Sequence, residues 1–352
     1  MDKNAAIEIN NKMIYKVVFS LSTIVFFSSC KRELVQSHRP NLVVILADDL
    51  GYGDAQVYNL QSKIPTIHIN KLASEGIRFT DAHTPSSVCS PTRYGLLTGR
   101  YAWRTELKEG VLYMWDKPLI AKDRLTLPKM LKAENYTTAC IGKWHLGWRW
   151  PSKMGNGFVN DTVPIGDYNY KVRNQLFNVI DFSKTIGGGP LEAGFDYYYG
   201  DDVPNFPPYA FLENNKFVEI PDVIKPNAMY GAPGPMVKTW EMENVMPAIT
   251  EKAVKYIEQK SKEDQPFYLH FTLTAPHTPI APSKKFIGKS KAGLYGDFVT
   301  QADWSVGQIV KALKKAGEFE NTLIIFTSDN GSPQRDGFKM QGALASVKKI
   351  WT

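Results

Sequence analysis

The chain of 352 residues is poor in cysteine and histidine, with three of the former and six of the latter. No two cysteines form a Cys-x-x-Cys pair and no His-Glu-x-x-His segment occurs, which excludes a zinc ribbon, a thioredoxin-like redox motif and a zincin site. Three cysteines are also too few for a disulfide scaffold. Cys30, Cys89 and Cys140 therefore each need a separate explanation.

A concentrated run of basic residues is also missing. The net charge is +7, but the charges are scattered, which favours an ordinary solvated surface and only weakly an anionic partner. No segment matches a nucleic-acid-binding motif, so no nucleic-acid partner is expected. With 43% hydrophobic and 22% charged residues, the chain has the composition of a soluble globular protein, long enough for one large domain or two medium ones.

The apolar run near the N-terminus is too short for a comfortable transmembrane helix. Lys12 and Lys16 precede the apolar segment Val17–Phe27, which is followed by two serines and Cys30. This order resembles a bacterial lipoprotein signal peptide over residues 1–30, with Cys30 as the lipidated residue. A plain secretory signal is the alternative.

The predicted signal determines where the protein would be found. Residues 31–40 are polar and predict a tether, and the lipid would be the chain's only link to a membrane. We expect a lipoprotein that lies either in the periplasm or at the outer membrane and cell surface. Either Met1 or Met13 could be the start of translation.

Four short apolar runs lead into reactive polar residues. Runs of four to eight residues rich in Val, Ile, Phe and Thr predict buried strands. These runs and their polar successors are 41–47 before Asp48 and Asp49, 136–141 before Lys143 and His145, 267–273 before His277, and 323–327 before Asp329 and Asn330.

Helical patterns lie between these runs, at 69–76, 127–134, 249–262 and 297–316. Alternating strands and helices predict an α/β fold with a parallel sheet covered on both faces. Ligands bind such sheets at the carboxyl ends of the strands, so the four polar segments should meet along one edge. Residues 148–235 are rich in Gly, Pro, Asn and Tyr, and predict long loops with short strands.

The carboxylates at two of these strand ends predict a metal site. Asp48, Asp49, Asp329 and Asn330 would together offer only oxygen atoms. Hard cations prefer such ligands, and Ca²⁺ tolerates irregular geometry better than Mg²⁺ does. The alternative is that each pair only caps a helix or a turn.

Cys89 is predicted to begin a helix, because Pro91 suits a first helical turn. Backbone N–H groups at that position favour anions. A thiolate nucleophile is one possible role for Cys89, and a buried, inert cysteine is the alternative.

Five segments in order resemble the motifs of type I sulfatases. The order and spacing agree from about residue 40 to residue 331, and on this resemblance the chain is identified as a member of that family. The segments are Asp48–Asp54 (DDLGYGD), Cys89–Arg93 (CSPTR) with Leu97–Arg100 (LTGR), Gly142–Gly147 (GKWHLG), Ala275–Pro279 (APHTP) and Ser328–Gly331 (SDNG).

The resemblance implies the fold of the alkaline phosphatase superfamily, with a large, mostly parallel sheet flanked by helices and a smaller C-terminal domain. It implies oxidation of Cys89 to formylglycine by a formylglycine-generating enzyme or an anaerobic maturase. It also implies one calcium ion bound by Asp48, Asp49, Asp329, Asn330 and residue 89.

Roles for the remaining motif residues follow from the same resemblance. Arg93 would steady the formylglycine diol, and Lys143 would contact the sulfate. His145 would be the base for sulfate expulsion. His277 would lie beside the leaving oxygen and donate a hydrogen bond or a proton, which suits a group that titrates near neutrality.

The chemistry explains why an aldehyde is needed. In the mechanism that the resemblance implies, the hydrate of the aldehyde has two hydroxyl groups. One of them, with its pKa lowered beside a bound metal ion, would attack sulfur and expel the alcohol. The second hydroxyl then loses its proton, so that sulfate leaves and the aldehyde reforms. A serine could perform the first step but not the second.

The substrate is expected to be a sulfated sugar or a glycosaminoglycan-type glycan. The segment 198–211 resembles loops of exo-acting sulfatases. In this chain, Asp201, Asp202 and Asn205 of the segment could bind sugar hydroxyls. A rigid aromatic loop without such a role is the alternative. His270 is expected to face the core or the solvent without a role in the reaction, and Cys140 is expected to be a packed apolar residue.

The chain departs from the family pattern at its C-terminus. The family has another active-site lysine after the Asp-Asn-Gly motif, and the chain stops at Thr352 without it. Residues 41–352 are therefore expected to be a catalytic domain that is incomplete at its C-terminus, without the smaller domain and nearly inactive as given. The competing functions are a phosphatase or phosphodiesterase of the same superfamily and a non-catalytic binder of sulfated glycans.

Overall fold

The computed structural model describes residues 39–166, 173 and 175–332. The predicted signal peptide over residues 1–30, the lipid attachment at Cys30 and residues 333–352 lie outside this part of the chain. Of the predicted tether, Arg39 and Pro40 are described, and both are exposed.

A seven-stranded sheet forms the centre of the fold, in the order β11-β1-β10-β2-β5-β6-β7. The first five strands of this order are parallel, and β6 and β7 are antiparallel additions. The pairs β3-β4 and β8-β9 are separate antiparallel ribbons. The strands are β1 (Asn41–Ala47), β2 (Thr137–Gly142), β3 (Trp148–Arg149), β4 (Gly187–Gly188), β5 (Tyr197–Gly200), β6 (Leu212–Glu213), β7 (Lys216–Phe217), β8 (Val223–Ile224), β9 (Pro235–Met236), β10 (Phe267–Thr272) and β11 (Thr322–Ser328).

Six α-helices accompany these strands in the described residues, together with four short 3₁₀ turns. The helices are α1 (Ile67–Ser74), α2 (Cys89–Thr98), α3 (Leu127–Ala133), α4 (Gly189–Glu192), α5 (Val245–Lys260) and α6 (Gly293–Ala316). The 3₁₀ turns are Tyr52–Asp54, Ala102–Arg104, Met242–Asn244 and Lys284–Phe286. None of the described helices is both long enough and apolar enough to cross a bilayer.

The predicted strands are confirmed to within one residue at each end, but three helices begin earlier than the periodic pattern indicated. Helix α5 begins at Val245 rather than at residue 249, because Pro247 is tolerated in a first turn whose N–H groups have no partner inside the helix. Helix α6 begins at Gly293 rather than at residue 297. Its first turn contains two glycines, which carry no hydrophobic periodicity.

The two faces of the sheet bury different residues, because side chains alternate along a strand. Val43 and Ile45 of β1 pack into one core cluster with α5 and α6, whereas Val44 packs into a second cluster with α2 and α3. Helices therefore cover both faces, as predicted. In the described residues β11 forms one edge of the sheet, where Leu323 and Ile325 are 52% and 44% exposed.

The described part of residues 148–235 contains the two ribbons, other strands of two to four residues and the one-turn helix α4, joined by long loops as predicted. Tyr209, Met236 and Trp240 form a third, smaller apolar cluster in and beside this segment. The loops after β5 start at the carboxyl edge of the sheet, where the polar strand ends also lie.

Candidate active site

The polar residues predicted to meet do lie together at the carboxyl edge of the sheet. Ala47 at the end of β1 pairs with Ser328 at the end of β11, so Asp48 and Asp329 follow on neighbouring strands. Gly142 at the end of β2 pairs with Thr272 of β10, which brings Lys143 to the same edge. This convergence follows directly from parallel strands in register.

Three carboxylates and one thiol form the centre of the site. One ligand atom from each of Asp48, Asp49, Cys89 and Asp329 lies within 4.8 Å of the others, and all four residues are buried. The side-chain amide of Asn330 donates to Asp49, while its Oδ1 is buried and has no hydrogen-bond partner in the described residues. The donor set is almost entirely oxygen, so the cluster could hold a hard cation such as Ca²⁺.

The electrostatics of this cluster also fit a bound cation. Burial, and then the charge of Asp48, raise the pKa of Asp329 to about 8. Burial also acts to raise the pKa of Asp48, but the nearby Lys143, His277 and Arg93 together lower it well below its usual range. The nearby cationic side chains thus favour the charged form of Asp48, whereas Asp329 remains difficult to ionise.

Arg93 and Lys143 are the cations that lie against the carboxylates. The Arg93 guanidinium is 3.3 Å from Asp48 and 3.0 Å from Asp329, and it also donates to the Lys143 carbonyl over 3.1 Å. The Lys143 ammonium lies 2.7 Å from Asp48. All four side chains are at most 2% exposed, so removing one partner would leave a buried charge uncompensated.

A glycine at the end of β2 makes the close approach of Lys143 possible. Gly142 has a φ of 114°, and a Cβ atom there would lie 1.8 Å from the Thr272 carbonyl oxygen. Only glycine fits that conformation and that space. The Lys143 backbone N–H donates to the same carbonyl over 3.0 Å, which fixes the start of the loop.

Cys89 is the first residue of α2, as predicted, and its Sγ lies 3.5 Å from Asp48 Oδ1. Burial raises the pKa of the Cys89 thiol well above its usual value. Lys143 opposes that shift, but Asp329, Asp48 and Asp49 reinforce it. A thiolate nucleophile is therefore disfavoured at this position.

The ring of His145 is held in one orientation. Its Nε2 lies 2.9 Å from the Leu112 carbonyl, which can only accept, so Nε2 carries the hydrogen and Nδ1 a lone pair. Nδ1 is buried and has no partner in the described residues. Burial, and then Lys143, lower the His145 pKa well below its usual value, which leaves a neutral imidazole that can accept a proton.

His277 lies beside Asp49 of the carboxylate cluster. Its Nε2 is 3.9 Å from Asp49 Oδ2, and its Nδ1 contacts the Thr278 carbonyl. Burial, and then Lys143, lower the His277 pKa. Its side chain is 13% exposed, more than those of Arg93 and Lys143, which places it near the mouth of the site.

The three residues predicted to bind sugar follow β5 but differ in their contacts. Both carboxylate oxygens of Asp201 are buried without a partner in the described residues, and burial, followed by the Asp202 charge, raises the Asp201 pKa to about 7. Asp202 instead accepts from the His145 backbone N–H and from Trp148 Nε1, each at 3.1 Å. Asn205 Oδ1 is buried without a partner in the same part of the chain.

Of the two positions expected for His270, the structure shows the core, and Cys140 is packed as predicted. His270 is 2% exposed and stacks on Phe195 with ring centroids 6.0 Å apart. Cys140 is completely buried, and burial raises its thiol pKa to about 12.

Comparison with known proteins decides the family. Residues 40–345 match the family model for sulfatases. The chain belongs to the sulfatase family.

Curated relatives support this assignment. The sulfatase chain is 31% identical to an N-acetylgalactosamine-6-O-sulfatase of Bacteroides thetaiotaomicron, an alignment that covers 94% of this chain and 67% of the relative. It is 30% identical to the N-acetylgalactosamine-6-sulfatase of Rattus norvegicus, covering 83% of this chain and 50% of the relative. The chain thus spans between half and two thirds of the length of these two relatives.

A solved structure confirms the predicted fold class. The protein comes from work on the metabolism of multiple glycosaminoglycans by Bacteroides thetaiotaomicron and is 29% identical, with a TM-score of 0.71. The match covers 86% of this chain and 65% of that one. The architecture is the large, mostly parallel sheet flanked by helices of alkaline-phosphatase-like sulfatases, as the motifs implied.

Sequence reasoning did not identify every contact of the sulfatase site. The Leu112 carbonyl is a backbone group, so no residue type signals it. Ser90, whose hydroxyl accepts from the Leu112 N–H over 3.0 Å, occupies the unspecified position of the Cys-x-Pro-Thr-Arg motif and was not singled out. A buried serine in the first turn of α2 is only a weak signal by itself.

Proposed function

We propose that this sulfatase-family chain hydrolyses sulfate esters on sulfated sugars, with N-acetylgalactosamine 6-sulfate as the first candidate substrate. The observation that carries the proposal is the buried cluster of Asp48, Asp49, Cys89 and Asp329, contacted by Arg93 and Lys143. It combines a cation site, a modifiable side chain and fixed positive charges at one sheet edge. The names of two relatives supply the candidate sugar.

The cation in this proposal is a single Ca²⁺ ion, held by Asp48, Asp49, Asp329 and Asn330 together with residue 89. The buried and unpartnered Asn330 Oδ1 supports it, because an amide oxygen needs a partner when buried. When bound, the ion would supply Lewis-acid stabilisation of negative charge on oxygen.

The nucleophile in this proposal is residue 89 after oxidation of its thiol to formylglycine, whose hydrate offers hydroxyl groups. The unfavourable thiolate at Cys89 supports this route over direct attack by sulfur. The modification requires a partner, either a formylglycine-generating enzyme or an anaerobic maturase.

The protein's own side chains would then stabilise and move charge. Arg93 and Lys143 would offset the negative charge of the sulfate and of residue 89, as fixed cations do in water-excluded sites. His145 would accept a proton at Nδ1, which is the nitrogen left without hydrogen by the Leu112 contact. His277, at the mouth of the site, would donate a hydrogen bond or a proton to the leaving oxygen.

Residues that follow β5 would hold the sugar beside the side chains that act on the sulfate. Asp201 is the strongest candidate, because neither of its buried oxygens has a partner in the described residues. Asn205 offers one unpartnered oxygen, and Asp202 offers the oxygen that does not hold His145. Two or three such hydrogen bonds would select among sulfated sugars.

Export to the periplasm or the outer membrane, with lipid on Cys30, remains part of the proposal. It rests on the order of basic, apolar and small residues before Cys30. Incorporation of labelled palmitate, and its loss in Cys30→Ser, would support it. A soluble product cleaved at another position would favour a plain secretory signal.

The central experiment combines two measurements on the full chain, co-produced with a formylglycine-generating enzyme. Mass spectrometry of the peptide that contains residue 89 should show the aldehyde or its hydrate. Ion chromatography should detect slow release of sulfate from N-acetylgalactosamine 6-sulfate, in keeping with the low activity expected from the sequence, with the 4-sulfate as the matched substrate and Cys89→Ala as the inactive control.

Two results would contradict the proposal. An unmodified thiol at residue 89 in every preparation would remove the sulfatase mechanism. Stoichiometric zinc, together with cleavage of a phosphate ester, would instead favour a phosphatase of the same superfamily.

A further inference from the structure

The segment 112–116 carries the carbonyl that orients His145, and buried side chains hold most of its backbone. Asp116 accepts from the Tyr113 N–H over 2.7 Å, and Arg173 donates to the Met114 carbonyl over 2.6 Å. The Trp115 carbonyl accepts from Asn160 over 2.8 Å. These contacts hold residues 113–115, so the N–H of Leu112 at the start of the segment depends on a partner outside it.

Two further contacts make this segment rigid around Asp116. The Arg173 guanidinium lies 2.7 Å from the Asp116 carboxylate, and both side chains are at most 2% exposed. The Asp116 N–H also closes a turn onto the Tyr113 carbonyl over 3.1 Å. A further link, at Leu112, joins the segment to the helix that carries Cys89.

That link is the Ser90 hydroxyl. It accepts from the Leu112 N–H over 3.0 Å, and Ser90 is completely buried. Ser90 follows Cys89 in the first turn of α2, whereas the carbonyl of Leu112 faces His145 Nε2. Leu112 therefore connects two parts of the site. Its N–H donates to Ser90 on the helix that carries residue 89, and its carbonyl accepts from the His145 ring.

We propose that Ser90 is a positioning residue that, through Leu112, fixes the tautomer of His145 and its place relative to residue 89. The consequence for the reaction rests on the proposed function, because it assumes that His145 Nδ1 accepts a proton. The tautomer itself does not depend on turnover. Loss of the hydroxyl leaves the Leu112 N–H without its acceptor, which loosens the carbonyl on the same residue.

Selective ¹⁵N labelling of histidine tests the tautomer directly. The chain has six histidines, so the His145 signals can be assigned from their loss in His145→Ala. We expect the wild type to show hydrogen on Nε2 only, and Ser90→Ala to show a mixture of the two neutral tautomers. Ser305→Ala is the matched control, because Ser305 is completely buried and hydrogen-bonded to Thr250, on helices that do not carry Cys89 or His145.

Turnover gives the second readout. Ser90→Ala should lower kcat about tenfold with little change in KM, as is common for residues that orient a reacting group. Ser90→Thr keeps a hydroxyl and should recover most of kcat. Because Ser90 adjoins Cys89, rates are divided by the fraction of chains that carry formylglycine, measured by mass spectrometry.

Several outcomes would overturn the assignment. A wild-type His145 with hydrogen on Nδ1 would do so without any variant, even if Ser90→Ala fails to fold. A folded Ser90→Ala with an unchanged single tautomer would do so as well. If the wild type shows the expected tautomer and Ser90→Ala alters it, but neither protein releases sulfate, Ser90 still positions His145 and the proposed function alone fails.

Discussion

The two ends of the central sheet both carry lysines and carboxylates, yet they hold them in different ways. At the carboxyl end, Asp48 and Asp329 share Arg93, Asp48 also contacts Lys143, and Asp49 lies beside them in the same cluster; all five are buried. At the amino end, a cavity of about 450 Å³ lies beside the first residues of β2 and β5. The cavity's charged groups form partly exposed one-to-one pairs: Lys252 lies 3.0 Å from Glu213, and Asp196 lies 2.7 Å from Lys132 next to the cavity.

The buried, shared charges at the carboxyl end are suited to binding a ligand, whereas the partly exposed pairs at the amino end are typical of a protein surface. Exposed ion pairs contribute about 0–1 kcal/mol each to the stability of the fold, and their charges need no additional partner. A buried set of three carboxylates with two cations is costly unless another positive charge completes it. The carboxyl end is therefore the end at which substitutions should affect function rather than stability alone.

The largest expected effect is that of Asp48→Ala. The change removes one oxygen ligand and the partner of both Lys143 and Arg93, so calcium should no longer be retained and sulfate release should fall below detection. Calcium content by mass spectrometry of the metal and sulfate release by ion chromatography measure the two effects. Circular dichroism checks that the variant is folded.

Asp196→Ala at the amino end is the matched control for Asp48→Ala. Asp196 pairs with Lys132 and accepts from Thr138, but it lies at the opposite end of the strands. It should keep its calcium and its activity and lose only some stability. Equal loss of calcium in both variants would mean that the carboxyl end has no special role.

His145→Ala should have the next largest effect. Removal of a positioned base commonly lowers the rate by about 10²–10⁴-fold, and here the loss should fall on kcat rather than on KM. Steady-state kinetics with the sugar sulfate measure the two constants. His83→Ala is the control, since the His83 side chain is 59% exposed and should leave kcat unchanged. An unchanged kcat in His145→Ala would remove His145 from the mechanism.

Asp201→Asn should have a smaller effect that depends on the substrate. The loss of a charged hydrogen-bond acceptor should raise KM for the sugar sulfate by about tenfold, whereas 4-nitrophenyl sulfate, which has no sugar hydroxyls, should be unaffected. Competition between the two substrates measures the change. An equal effect on both substrates would mean that Asp201 does not contact the sugar.

Asp201→Asn should also change the dependence of stability on pH. Burial raises the pKa of Asp201 from 3.8 to about 7, so the folded state favours the protonated form. The stability that this group contributes is complete below about pH 3.8 and is lost as the pH rises through 7. Urea unfolding at pH 5 and pH 7.5, in the presence of a chelator, should therefore show a relative advantage for Asp201→Asn that grows with pH. A constant difference would place Asp201 in a more solvated environment.

The residues at the carboxyl end of the sheet were predicted well from the sequence, because the apolar runs that form the strands have a regular pattern. Buried strands end where the apolar run ends, and parallel register then brings Asp48 and Asp329 together. Helix starts were less well predicted, because the first turns of α5 and α6 contain Pro247 and Gly293, which have no periodic signature.

Other features of the site could not be read from residue types. Asp201 and Asp202 are adjacent and identical, and only the fold shows that the Asp202 carboxylate holds His145 and Trp148 while the Asp201 carboxylate has no partner in the described residues. The contact of the Leu112 carbonyl with His145 could not be predicted either, because every residue has a carbonyl group. Such contacts are set by loop geometry over long sequence separations, which a local pattern does not encode.

The smallest expected effect is at the amino end, where Lys252→Ala tests whether that region is ordinary surface. The Lys252 ammonium lies 3.0 Å from Glu213 and 4.4 Å from the centre of the Tyr199 ring. An exposed ion pair and a cation–π contact should together stabilise the fold by about 1 kcal/mol. Lys255→Ala on the same helix is the control, since Lys255 pairs with Glu251 one turn away and should contribute about 0.3–0.5 kcal/mol. Urea unfolding should show a somewhat larger loss for Lys252→Ala, with sulfate release unchanged in both variants. A clear fall in activity on loss of Lys252 alone would show that the amino end also takes part in function, and the contrast between the two ends would no longer hold.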